Sequence, residues 1–196
     1  MAYSDFDLKR AVTELGLSRG TDTNLFAGVT PIEPSDYLRD CLAEFTPPAI
    51  AFGTESSRRE TIIFPVLAEA ERHSPPPVNI ASGVTSDVDK ARGRTGLCDY
   101  LLTRSPETYC VAAPAFAAVV AKKEDLTPGL GQCAAELVAV RIFNETEGHP
   151  RPVVYGCVAN GHAWRFLKLD GSILTIDTVI DPLDRLLGIL VRIASE

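Results

Sequence analysis

Two apolar runs that carry one charged side chain each constrain the fold of this chain more than any other part of the sequence. Asp99 lies near the start of the first run, and Lys122 closes the second. Their spacing suits two neighbouring strands, because adjacent antiparallel strands bring the start of one and the end of the next to the same end of a sheet. We therefore predict that Asp99 and Lys122 meet at one end of a sheet.

The residues around these runs predict six strands and five helices. From Val78 onward the apolar residues alternate with period two, whereas other segments show the spacing of amphipathic helices. The Asn160-Gly161 and Asp170-Gly171 pairs are typical of hairpin turns, and Thr127-Pro128 is typical of a helix start. The predicted helices are residues 4–17, 37–45, 54–73, 128–145 and a last one that ends near 194, and the predicted strands are 78–84, 98–103, 116–122, 153–158, 164–169 and 173–179.

This order of elements predicts an α/β (α+β) protein with a central mixed β-sheet flanked by helices. We expect residues 1–50 to form a helical N-terminal extension, packed on a core made by residues 51–196. The Pro47-Pro48 pair is expected to end the second helix, and Pro65 is expected to kink or break the third.

Composition limits the functions that the chain can have. The formal net charge is −7, which lowers the expectation of strong non-specific DNA binding, although pairs such as Arg58-Arg59 and Lys122-Lys123 allow a local basic cleft. No apolar run approaches the ~20 residues that cross a bilayer, and the N-terminal residues lack the pattern of a signal peptide. We expect a cytoplasmic protein without a membrane partner, whose five scattered cysteines are reduced.

The residues near Asp99 and Lys122 fit the metal-dependent hydrolysis of a phosphodiester. This reaction needs oxygen ligands for Mg²⁺, an activated water and a group that offsets developing negative charge. Asp99 and the backbone carbonyl of Ala121 can serve as ligands, and Lys122 can orient the water or stabilise the charge. On the next helix, Gln132 and Glu136 are four residues apart and can face the same pocket.

This pattern resembles the PD-(D/E)xK superfamily of restriction-endonuclease-like proteins, over about residues 54–179. The residues that carry the resemblance are Cys98-Asp99, Val120-Ala121-Lys122, Gln132 and the leading-helix glutamates Glu55 and Glu60. The segment 122–126, with the glycine-rich helix start after it, is similar to a group of uncharacterised bacterial proteins with that fold. The resemblance implies a magnesium-dependent deoxyribonuclease fold, catalytic roles for Asp99, Lys122, Gln132, Glu136 and Glu60, and metal ligands at Asp99, Ala121 and Glu136. It also implies DNA as a partner and a homodimer as one form of assembly.

Val120 departs from that pattern, because the resemblance implies a metal-binding acid at this strand position. Some relatives carry the acid on the following helix, where Glu136 is the candidate. The sequence therefore favours a nuclease-fold protein with a degenerate metal site and a nucleic-acid-binding or protein-binding role. The alternative is an active magnesium-dependent endonuclease that uses Asp99, Glu136 and Lys122.

Each candidate residue also has a purely structural interpretation. Asp99 can be a turn or capping aspartate, and Lys122 can belong to a solvated strand end. Gln132 and Glu136 can form the exposed face of an amphipathic helix, and Glu60 can be a surface residue.

Overall fold

A computed structural model of the chain describes residues 2–89, 94–179 and 182–196, and within them seven strands form one mixed sheet. The helices are α1 (Leu8–Glu14), α2 (Asp36–Phe52), α3 (Glu55–Arg58), α4 (Phe64–His73), α5 (Thr127–Thr146) and α6 (Leu183–Ser195), with a 3-10 turn at Tyr3–Asp5 and a π-helical segment at Arg59–Ile63. The strands are β1 (Ser18–Arg19), β2 (Asn79–Asp89), β3 (Arg94–Thr103), β4 (Ala115–Ala121), β5 (Val153–Ala159), β6 (Trp164–Asp170) and β7 (Ile173–Ile176). The predicted class, a mixed sheet flanked by helices, is confirmed.

The strand order in the sheet is β1-β7-β6-β5-β4-β3-β2. β2, β3 and β4 form an antiparallel meander, and α5 then carries the chain to β5, which pairs parallel with β4. A parallel pair needs such a crossover, which places α5 against one face of the sheet. β5, β6 and β7 form the second meander. The end of β4 therefore lies between β3 and β5 and next to the start of α5.

Two hydrophobic clusters fill the space on the two faces of the sheet. One cluster packs α5 and the N-terminal segment against the sheet, and it includes Val120, Leu137 and Phe6. The other packs α2, α4 and α6 against the opposite face, and it includes Leu38 and Leu67. Since both faces are covered, residues in the central strands are buried whichever way they point, and all of β4 is buried.

The first fifty residues contribute to both clusters. Tyr3 and Phe6 pack with α5, whereas Phe26 and Leu38 pack on the opposite side of the sheet. The N-terminal segment lies so close to α5 that a β-carbon on Gly131 would come within 2.2 Å of a backbone atom of Asp7. The short strand β1, which the sequence does not predict, extends the sheet by pairing with β7.

Of the two expectations about proline, the one for Pro47-Pro48 is wrong and the one for Pro65 is met by an irregularity next to it. Pro47 and Pro48 do not end α2, which continues to Phe52 and stops at Gly53 in the left-handed conformation. Both prolines lie on the exposed side of the helix, so water can satisfy the backbone groups that their rings leave unpaired. The irregularity expected at Pro65 is present as the π-helical segment just before α4, and Pro65 itself lies in the first turn of α4, where a missing N–H is tolerated.

No helix among the described residues is long and apolar enough to span a membrane.

Candidate functional site

Asp99 lies on β3 beside the end of β4, as the sequence predicts, and both oxygens of its carboxylate are engaged. Oδ2 accepts a hydrogen bond from the backbone N–H of Ala121 at 2.8 Å, and Oδ1 accepts one from Arg59 Nη1 at 3.2 Å. The residue is 7% exposed. The Asp99 charge is therefore balanced by a guanidinium, and its carboxylate ties β3, β4 and the π-helical segment together.

Lys122 follows β4 directly and joins elements from both sides of the sheet. Its backbone N–H donates to the carbonyl of Ala159, and its Nζ donates to Gln132 Oε1 at 2.9 Å. The same ammonium lies 3.8 Å from Glu55 Oε2 on α3. Within the part of the chain that the structure describes, Lys122 and Asp99 form no ion pair with each other. Both are nevertheless next to Ala121, which precedes Lys122 in the chain and donates its N–H to Asp99.

Gln132 and Glu136 continue from Lys122 as a chain of buried hydrogen bonds. Gln132 Nε2 donates to Glu136 Oε1 at 2.9 Å, and Cys98 Sγ lies 3.1 Å from Glu136 Oε2. Gln132 is 7% and Glu136 is 2% exposed, so the interpretation of these side chains as a solvated helix face is wrong. They are buried between α5 and the sheet, where Gln132 contacts Lys122 and Glu136 contacts Cys98.

The electrostatic environment favours the protonated form of Glu136. Burial, with a smaller contribution from the nearby Asp99 charge, raises the pKa of Glu136 to about 8 against the opposing effects of Gln132, Cys98 and Lys122. A carboxyl group with this pKa is largely neutral at pH 7, whereas a metal ligand must give up its proton. Burial also raises the pKa of the Cys98 thiol, which lies against the same carboxyl group.

Val120 occupies the strand position for which the resemblance implies a metal-binding acid. Its side chain is fully buried in the cluster beneath α5. The register of β3 and β4, which pairs Tyr100 with Val119, brings Asp99 alongside it. Among the described residues, no three histidine, cysteine or acidic side chains are grouped so that they could hold a metal ion.

The two glutamates of the leading helix have different surroundings. Glu55 on α3 lies near Lys122, at 3.8 Å. Glu60 is exposed in the π-helical segment and lies 3.5 Å from Arg59 Nη2, on the outer side of the Arg59–Asp99 pair. Glu55 is therefore the glutamate that the fold brings to Lys122.

Arg59 and Tyr100 belong to the site but are absent from the residues predicted to act there. Arg59 binds Asp99, and the hydroxyl of Tyr100 donates to the backbone carbonyl of Arg59 at 2.7 Å. Burial raises the pKa of Tyr100, so this hydroxyl keeps its proton and remains a donor. The only sequence signal for Arg59 is its place in the basic pair Arg58-Arg59.

Comparison with known proteins finds no matching family model, curated protein or solved structure.

Proposed function

We propose that this chain is a restriction-endonuclease-like protein with a degenerate metal site, which binds nucleic acid without cutting it. The observation that carries the proposal is the state of Glu136, the acid best placed to replace the missing strand acid. It is buried, hydrogen-bonded through both oxygens and largely neutral at pH 7. A carboxyl group in this state adds little to the binding of Mg²⁺, which prefers ionised oxygen ligands.

The acids at this edge of the sheet are already compensated by cations, which disfavours a metal ion. Asp99 is paired with Arg59, and Lys122 lies near Glu55, so neither acid presents an uncompensated negative charge. Lys123 is exposed beside them. An exposed lysine attracts phosphate groups even on an acidic protein, and phosphates dominate the affinity of proteins for nucleic acids.

Binding and cleavage assays on the same DNA test this proposal. We expect fluorescence anisotropy to show saturable binding of DNA at low salt. We expect no nicking of supercoiled plasmid in Mg²⁺ or Mn²⁺ beyond that seen with EDTA. Plasmid nicking that depends on the metal and on Asp99 would contradict the proposal. If the chain binds a protein partner and shows no affinity for DNA, the protein-binding alternative is the correct function.

The second candidate function is the active magnesium-dependent endonuclease. One observation favours it. Lys122, Gln132 and Glu136, three of the residues predicted to be catalytic, are joined by hydrogen bonds, and the fourth, Asp99, lies close enough to influence Glu136. It requires Glu136 to lose its proton on binding the metal. In this case Asp99→Ala abolishes cleavage that the wild type performs.

A further inference from the structure

Arg58, the last residue of α3, is a buried cation with little to balance its charge. It is 6% exposed, and its Nη1 donates a hydrogen bond to the backbone carbonyl of Asn160 at 2.8 Å. Its Nε is buried without an acceptor. Among the side chains that the structure describes, no carboxylate oxygen lies within 4.0 Å of this guanidinium.

A guanidinium in this state is suited to an anionic ligand. Arginine carries five N–H donors in a planar fork that matches the oxygens of a carboxylate or phosphate, and burying the group without such a partner is costly. The neighbouring Arg59 is different, because it is already occupied by Asp99. Nε lacks an acceptor in both arginines, but Arg58 is the one of this pair that has no carboxylate partner among the described side chains.

Lys123 provides a second available cation near Arg58. It is exposed, and none of the described carboxylates pairs with it. Its ammonium lies against the junction of α2 and α3, where a β-carbon on Gly53 would come 3.8 Å from Nζ. Arg58 lies one helical turn beyond the same junction, since its N–H donates to the carbonyl of Thr54.

An exposed aromatic side chain lies at the same junction. Phe52 precedes Gly53 and is 77% exposed, although it ends a helix whose inner face is buried. Cations beside an exposed aromatic ring are the two elements of a surface for single-stranded nucleic acid, in which phosphates bind the cations and bases stack on the ring. A site for phosphate alone, or for a phosphorylated peptide, has no need of the ring.

We propose that Arg58 and Lys123 bind a phosphate group of a single nucleic-acid strand, and that Phe52 stacks against a neighbouring base. This inference rests on the proposed function for the nature of the phosphate carrier. It adds a binding site that lies outside the Asp99, Lys122 and Glu136 constellation, and a preference for single strands.

Anisotropy titrations with a labelled single-stranded oligonucleotide and the matching duplex test this site. We expect Arg58→Gln to weaken single-strand binding about tenfold, as for the loss of one charge-assisted hydrogen bond. Lys123→Gln is expected to weaken it about threefold and to reduce the salt slope by about one. Phe52→Ala is expected to weaken single-strand binding about tenfold and to leave duplex binding unchanged.

The controls remove a similar group elsewhere on the surface. Lys9→Gln removes an exposed lysine on α1, and Tyr109→Ala removes an aromatic ring that is 98% exposed. Both are expected to bind like the wild type. The inference is overturned if the site variants bind within twofold of the wild type, or if the controls lose as much affinity. Lys123 and Phe52 are exposed, so their variants decide the matter even if Arg58→Gln fails to fold.

Inorganic phosphate and a phosphoserine peptide separate failure of this inference from failure of the proposed function. We expect phosphate to compete with the oligonucleotide for the wild type and to raise its melting temperature. If the oligonucleotide binds but neither phosphate nor the variants affect it, the inference is wrong and the proposed function stands. If phosphate or the peptide binds at Arg58 and no oligonucleotide binds, the assignment to nucleic acid is wrong, and the nucleic-acid-binding role fails with it.

Discussion

Replacing the buried acid by its neutral isostere, Glu136→Gln, should change the pH dependence of stability in a direction unusual for a carboxylate. The pKa of Glu136 is about 8 in the folded protein against an ordinary value of 4.5. Between these values the folded chain holds a proton that the unfolded chain has released, so the stability of the wild type falls as pH rises. The glutamine has no such proton to hold.

The size of the effect follows from 1.36 kcal/mol for each pH unit between the two pKa values. Holding Glu136 neutral costs the wild type about 1 kcal/mol at pH 5 and about 3 kcal/mol at pH 7, and the cost levels off above pH 8. Relative to the variant, the wild type should therefore lose about 2 kcal/mol of unfolding free energy between pH 5 and pH 7. Glutamine can still accept the hydrogen bond from Gln132, so the packing should change little.

Urea unfolding of both proteins at pH 5, 6, 7 and 8 measures this difference directly. Glu60→Gln is the matched control, because it removes an exposed glutamate from the surface and leaves Glu136 in place. A difference between the wild type and Glu136→Gln that stays constant from pH 5 to pH 8 would show that Glu136 is ionised in the folded protein. The account of a neutral acid in the site would then be wrong.

Three further predictions concern parts of the fold that hold the site in place. Asn144→Ala should destabilise the protein by about 3 kcal/mol in urea unfolding, because its fully buried amide binds both the N–H and the carbonyl of Ala115 at 2.7 Å. Glu69→Gln should destabilise it at neutral pH: although burial opposes ionisation, a backbone N–H and an arginine lower the pKa of Glu69. The difference in stability between Glu69→Gln and the wild type should shrink as the pH falls below the ordinary pKa of a glutamate, because the stability gained from a depressed pKa is lost there. Gly131→Ala should lower the melting temperature despite its better helix propensity, whereas Gly28→Ala, which has no atom within 4 Å of its new β-carbon, should not.

The sequence predicts the order of the elements because local patterns determine it. The Asn160-Gly161 pair lies between β5 and β6 as predicted, and α5 starts at Thr127-Pro128. The contact between Lys122 and Gln132 is also predictable, since the helix begins soon after the strand that Lys122 closes. These features depend on residues that are near one another in the chain.

The rest of the site depends on contacts between distant segments, which a periodic pattern does not contain. The pair of Arg59 and Asp99 joins positions 40 residues apart. Gln132 and Glu136 have the spacing of an exposed polar face, but contacts with Lys122 and Cys98 place them in the buried space between α5 and the sheet. Burial in turn sets the protonation of Glu136, so its chemical state could not be predicted from residue types.

A calorimetric titration of Mg²⁺ and Mn²⁺ into the protein tests the central claim most directly. We expect no saturable binding to the wild type, and we expect Val120→Glu to gain it, because the glutamate restores an acid beside Asp99. Val158→Glu is the matched control, since Val158 is equally buried and pairs with Val120 on the adjacent strand, and it should gain no binding. Saturable binding of one ion by the wild type, lost in Asp99→Ala, would contradict the claim that this site no longer holds a metal.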